Sequence, residues 1–216
     1  MKDTTTKLVN IKTDSVTLTG ELNLPMNARG VVLFAHGSGS SRHSPRNKFV
    51  AQVLQKDGFA TLLIDLLTEE EDIVYQTRFD IDLLAGRLLK ITEWLSEENQ
   101  TKDLPIGYFG ASTGAAAALK AAAISRKPIA AVVSRGGRPD LAEPLLEEVK
   151  APTLLIVGGY DDIVIGLNKL AYSKLRSTKE LEIVPGATHL FEEPGTLNEA
   201  ARLADEWFQQ YMPALK

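Results

Sequence analysis

Apolar positions along this chain repeat with two different periods, and the changes of period mark its elements. In Val16-Thr-Leu-Thr-Gly-Glu-Leu-Asn-Leu24, Val16, Leu18, Leu22 and Leu24 alternate with mostly polar residues. That is the period of a half-buried strand. The stretch up to about residue 30 therefore reads as antiparallel strands, closed by the turn residues Pro25 and Asn27–Gly30. Beyond it the pattern changes. Val31–Ala35, Ala60–Ile64, Pro105–Phe109, Ile129–Val133 and Thr153–Val157 are short apolar runs, as expected of strands covered on both faces, and Leu181–Val184 is a last, shorter strand. Helical stretches lie between them. Phe49–Gln55 ends before Gly58, Ala115–Ile124 is rich in alanine, and Leu167–Leu175 follows later. Ile81, Leu84, Leu88, Ile91 and Leu95 recur at intervals of 3, 4, 3 and 4, which predicts a long amphipathic helix. Leu197, Ala201, Ala204, Trp207 and Tyr211 give a closing one.

Strands alternating with helices imply right-handed crossovers and a mainly parallel sheet with helices on both faces. No repeat or linker interrupts the pattern, and the longest predicted loop is the acidic Leu66–Val74. A length of 216 residues fits one α/β domain over 1–216, as monomer or homodimer. Lys and Arg number 24 against 28 Asp and Glu, a net charge of −4 that speaks against a nucleic-acid partner. The start, Met1–Lys7, leads into no apolar stretch of the kind a signal peptide needs. No apolar run is long enough to span a membrane. The expectation is a cytoplasmic protein with a small-molecule partner.

Two small counts narrow the chemistry. There is no cysteine, which excludes a thiolate nucleophile and a cysteine metal site, and there are three histidines, His36, His43 and His189. Gly110-Ala-Ser-Thr-Gly114 lies between a strand and the alanine-rich helix. In that context it predicts a nucleophile elbow exposing the Ser112 hydroxyl at the positive end of the helix. The plainer alternative is that Ser112 only caps the helix. A serine hydroxyl needs a base. His189, in Gly186-Ala-Thr-His-Leu-Phe191, follows the last strand, where loops at strand carboxyl ends form sites. Asp161, after the Gly158-Gly-Tyr turn, can orient that imidazole, with helix capping as its other use. Asp162 is available for whichever of the two jobs Asp161 leaves. His36-Gly-Ser-Gly39 follows the first parallel strand. It offers the N–H of Ser38 as an oxyanion donor beside the N–H of Thr113, and leaves His36 to hold that loop by hydrogen bonds. Arg42, His43, Arg46, Arg135 and Arg138 stand near the expected mouth and can bind an anionic substrate group, or else pair with surface carboxylates.

Taken together, His36-Gly-Ser-Gly39, Gly110–Gly114, Gly158-Gly-Tyr-Asp161 and His189 resemble the α/β-hydrolase superfamily, in its compact dienelactone-hydrolase-like branch. The resemblance runs from about residue 15 to the end. It implies an eight-stranded sheet with one antiparallel strand and ester hydrolysis without a cofactor. The enzymes that name the branch use cysteine as nucleophile, whereas this chain has Ser112. That departure favours a carboxylesterase-like serine hydrolase over dienelactone hydrolysis. The interval Ser134–Pro152 has room for one helix and turns, so no large lid is expected, and the site should be open, shallow and suited to small or short-acyl esters. Three alternatives keep the fold: a binding protein with an idle triad, an acyltransferase and a perhydrolase. A dinucleotide-binding turn at Gly37–Arg42 lacks its third glycine, and a three-histidine zinc site lacks paired helical spacing.

Overall fold

The structure is a computed structural model that describes residues 4–13 and 16–213. The outermost parts of the chain start and of the 1–216 span, Met1–Asp3 and residues 214–216, lie outside the described residues. So do residues 14–15.

Eight strands form one sheet in the order β1-β2-β4-β3-β5-β6-β7-β8. They are β1 (Thr4–Thr13), β2 (Val16–Pro25), β3 (Val31–Ala35), β4 (Ala60–Ile64), β5 (Ile106–Ala111), β6 (Ile129–Arg135), β7 (Thr153–Gly158) and β8 (Lys179–Val184). Six of them, β3 to β8, run parallel. β2 runs against β4 and against β1, so it is the one antiparallel strand. Among the described residues six α-helices complete the fold: α1 (Pro45–Lys56), α2 (Glu69–Ile73), α3 (Ile81–Leu95), α4 (Thr113–Ile124), α5 (Asp162–Lys174) and α6 (Thr196–Tyr211). Alternate residues of β3 show how the layers form. Val31, Leu33 and Ala35 pack with α3 and α4, while Val32 and Phe34 pack with α1 and α6. The sheet is thus covered on both faces, as its continuous apolar strands require.

Four stretches differ from the sequence reading. α5 begins at Asp162, five residues before the predicted Leu167. α1 begins at Pro45 rather than Phe49, because the Ser44 side chain accepts from the Asn47 N–H and proline occupies the first turn. Leu66–Val74 is not a loop. It carries α2, opened by a capping box in which Thr68 and Glu71 each bond the other's backbone. A helix of five residues does not stand alone. Arg87 of α3 secures it with two bonds to Glu71 and a third, of 2.6 Å, to the Leu66 carbonyl. Finally, Ser134–Pro152 contains two 3-10 turns, Pro139–Ala142 and Leu145–Glu148, and no α-helix. Nothing in that interval is long enough to form a lid.

Candidate active site

The parallel strands deliver their carboxyl ends to one edge of the sheet, and the singled-out residues gather there. Ser112 follows β5 directly. Its backbone sits at φ 51° and ψ −122°, a left-handed value that a side chain adopts only when its surroundings enforce it. Here they do. The Ser112 N–H donates to the Arg135 carbonyl at 3.3 Å, and its own carbonyl accepts from Ala115 and Arg138 at 3.1 Å each. The turn is also compressed against β3. A Cβ on Gly114 would stand 2.2 Å from the Ala35 carbonyl oxygen, and one on Gly110 would stand 2.4 Å from the Ala115 Cα. The glycines therefore let the elbow lie against the sheet. Ser112 opens α4 in position only, since its side chain makes no capping bond.

His189 and Asp161 meet through their loops. A Cβ on Gly158 would come within 2.5 Å of the Ala187 carbonyl, so glycine there is what allows the two loops to touch. Backbone bonds then zip them together. Gly159 N–H donates to Val184 at 2.8 Å and Tyr160 N–H to Ala187 at 2.9 Å. The result is a 2.6 Å bond between His189 Nδ1 and Asp161 Oδ2, with the Asp161 side chain 15% exposed and the His189 side chain 39%. Asp161 occupies the N-cap position of α5 but makes no side-chain cap bond, and Asp162 lies in the first turn. The histidine turn is pinned from below. Thr188 gives both its N–H (3.0 Å) and its hydroxyl (2.6 Å) to Glu193, whose carboxyl is held below its usual range by that hydroxyl. Phe191, two residues on, has φ 57° and is buried.

The loop after β3 approaches the elbow from the other side. His36 is buried and bridges two loops: its Nε2 accepts from the Leu66 N–H at 3.1 Å, which leaves Nδ1 to donate to the Gly37 carbonyl at 3.0 Å. Burial holds its pKa below 6.5, so the ring is neutral. The Ser38 N–H points to the elbow but already has an acceptor, the buried Thr113 hydroxyl at 2.9 Å. Sequence reasoning paired the two backbone N–H groups and missed that side-chain link.

The arginines expected at the mouth are divided. Arg42 pairs with Asp65 through both backbone and side chain. Arg138 makes a two-pronged pair with Asp140, at 2.9 and 2.7 Å. Their charge is neutralised in place. Exposed His43 and Arg42 line a groove of about 250 Å³ with Ser40, Ser41, Thr68 and Glu69. This groove shares His36, Leu67 and Asp72 with a small cleft at Ser38 and Thr113. A larger hollow of about 460 Å³ lies at the amino ends of the strands, around Pro25 and Leu104, far from these residues. Arg135 does not line the groove of Arg42 and His43. It ends β6 and is buried.

Comparison with known proteins bears on this arrangement. Residues 18–213 match the family model described as the dienelactone hydrolase family. A crystal structure of a dienelactone hydrolase from Anabaena variabilis is 56% identical. It superposes with a TM-score of 0.94 over 97% of this chain and 99% of that one. A Xanthomonas campestris protein described as an α/β serine hydrolase without a lid shares the fold at 19% identity, with a TM-score of 0.79 over 98% and 97% of the two chains. A Mycobacterium tuberculosis (strain H37Rv) protein, provisionally named a phosphoribosyl transferase, is 56% identical over 94% of this chain and 46% of its own length. This chain thus spans about half the length of the curated relatives it matches. Among the described residues no helix is long and apolar enough to cross a membrane.

Proposed function

The chain belongs to the dienelactone hydrolase family, and from that premise we propose that it is a hydrolase, a serine esterase that cleaves small, short-acyl esters through an acyl-enzyme. One observation carries this reading. The Ser112 elbow is held in a strained turn at the start of α4, while at the same sheet edge an imidazole is tied at 2.6 Å to a largely buried carboxylate. Strain of this kind persists where the surroundings over-determine it, and such sites concentrate at reacting groups.

In the proposed mechanism His189 takes the Ser112 proton as the hydroxyl attacks the ester carbonyl. Asp161 fixes the tautomer with Nε2 toward the serine and stabilises the imidazolium. Ser112 and His189 share no hydrogen bond in the structure, so in this mechanism the two side chains close on each other when substrate binds. The Thr113 N–H holds the oxyanion, and the Ser38 N–H joins it by exchanging its bond to the Thr113 hydroxyl for the substrate oxygen. His189 then protonates the leaving alcohol and activates water to release the acid. The groove of Ser40, Ser41, Thr68 and His43 is small and offers hydroxyl and imidazole groups, which suits a short, hydroxyl-bearing substrate group. No further residues are required for this chemistry, and the reaction needs no cofactor. The phosphoribosyl name belongs to a relative of whose length this chain matches 46%. We place the esterase in the cytoplasm.

A panel of p-nitrophenyl esters of increasing chain length, run on wild type and Ser112→Ala, tests the reading. Acetate to butyrate should turn over best, and Ser112→Ala should lose turnover with its fold intact. Equal activity in the variant would refute the assignment. A wild type that hydrolyses none of the esters supports the idle-triad binding protein, and product esters formed with added alcohol support acyl transfer.

A further inference from the structure

One buried arginine pairs with no carboxylate among the described residues. Arg135 is 6% exposed. Its Nε and Nη1 have no acceptor among the described residues, and its Nη2 reaches only the Asn47 amide oxygen, at a long 3.5 Å. Its guanidinium lies over the Phe191 ring, 5.8 Å from the centroid. Arg46 is brought beside it from two directions. It precedes Asn47 in α1, and its Nη1 bonds Glu192, next to Phe191, at 3.0 Å. The Nε of Arg46 is also buried without an acceptor. Three buried guanidinium nitrogens on these neighbouring side chains, Nε and Nη1 of Arg135 and Nε of Arg46, thus have no acceptor among the described residues.

A desolvated cation beside a second cation is unfavourable unless something compensates it. Burial and the Arg46 charge push the Arg135 pKa down to about 10, which still leaves it charged at neutral pH. The planar fork of arginine suits two-oxygen acceptors. The start of α1, a helix of twelve residues, adds its positive end at the same place.

We propose that Arg135 and Arg46 hold a small oxyanion, a carboxylate or phosphate group, between the start of α1 and the turn that carries His189. The site adjoins the elbow, since the Arg135 carbonyl accepts from the Ser112 N–H, but it does not rest on the esterase reading. Its occupant is either a free anion or a charged group on the substrate.

Thermal unfolding with inorganic phosphate, against sodium chloride of equal ionic strength, tests the proposal directly. Wild type should gain a few degrees at phosphate well above its Kd. Arg46→Met should reduce that gain and Arg135→Met should abolish it. In phosphate-free buffer Arg135→Met should be at least as stable as wild type, since it removes an uncompensated buried charge. No phosphate-specific shift in wild type, or an equal shift in Arg135→Met, overturns the site. If Arg135→Met does not fold, calorimetric titration of wild type and Arg46→Met with phosphate decides: binding weakened in Arg46→Met supports the site, and no binding to wild type overturns it. Given binding, phosphate that competes only with carboxylate-bearing p-nitrophenyl esters assigns the site to a substrate group. Binding without competition assigns it to a free anion.

Discussion

Gly114→Ala adds a single methyl group at the glycine that backbone atoms approach most closely. That Cβ would lie 2.2 Å from the Ala35 oxygen, 2.5 Å from the His36 oxygen and 2.6 Å from the Ala35 carbonyl carbon. All three are backbone atoms, so no side chain can rotate to make room. Reaching ordinary contact requires the elbow and the end of β3 to separate by about 1 Å, against packing that allows little give. Overpacking costs typically about 1–3 kcal/mol, and the rigid surroundings place this case at the upper end. For a domain of this size about 3 kcal/mol corresponds to a Tm lower by roughly 6–12 °C. The same displacement parts the Ser38 N–H from Thr113. A misplacement of about 1 Å can cost on the order of 100-fold in rate. Gly166→Ala supplies the control, because a Cβ there, within α5, meets nothing within 4 Å. It should stabilise by about 0.5–1 kcal/mol through helix propensity alone. Calorimetry and p-nitrophenyl acetate kinetics on both variants give the answer. A Gly114→Ala protein with wild-type Tm and wild-type kcat/KM would show that the elbow is not compressed against β3.

Further expectations follow from individual contacts. Asp161→Asn should lower kcat roughly 10³–10⁴-fold with little change in Tm, whereas an aspartate used only for capping would tolerate asparagine without loss of activity. His36→Leu leaves the Leu66 N–H and the Gly37 carbonyl without their partners. Each costs about 1–3 kcal/mol, and urea unfolding would measure the sum. Because folded His36 binds its proton less tightly than the unfolded chain does, wild type should lose stability as pH falls below 6.5, and the variant should lack that component. Asp205 behaves in the opposite sense. Burial, reinforced by the Asp57 charge, raises its pKa from 3.8 to about 6, so the folded state loses stability as pH rises between those values. Asp205→Asn should therefore raise Tm at pH 7 and leave it unchanged below about pH 3.8. A gain at every pH would show that the carboxylate's charge is not the cause.

Much of the fold was legible because strand and helix periods do not overlap. Every parallel strand lies within two residues of its apolar run, and Ile81–Leu95 coincides with its 3-4 repeat. Boundaries failed where a cap, not a hydrophobic period, starts the helix. Ser44-Pro45 and Thr68-x-x-Glu71 were readable signals of that kind, masked by the polar stretches around them. The placing of Ser112, Asp161 and His189 at one edge follows from parallel topology, since the ends of β5, β7 and β8 must share a side. Contacts across loops carried no local signal. The bond from Ser38 to the Thr113 hydroxyl spans 75 positions. The left-handed Phe191 has nothing in its sequence neighbourhood to announce it. The arginines show the same limit. Their proximity to the edge was visible, but whether Asp65 and Asp140 already neutralise them, or nothing does, is settled only by packing.

Ser112 as an activated nucleophile is the central claim, and covalent labelling tests it most directly. Wild type, Ser112→Ala and His189→Ala are each incubated with a fluorophosphonate, and the intact mass and the modified peptide are then measured. The account predicts one adduct on wild type, located on Ser112, none on Ser112→Ala, and labelling slowed by orders of magnitude in His189→Ala. A folded wild-type protein that takes up no label, or a label that persists when Ser112 is removed, would contradict it.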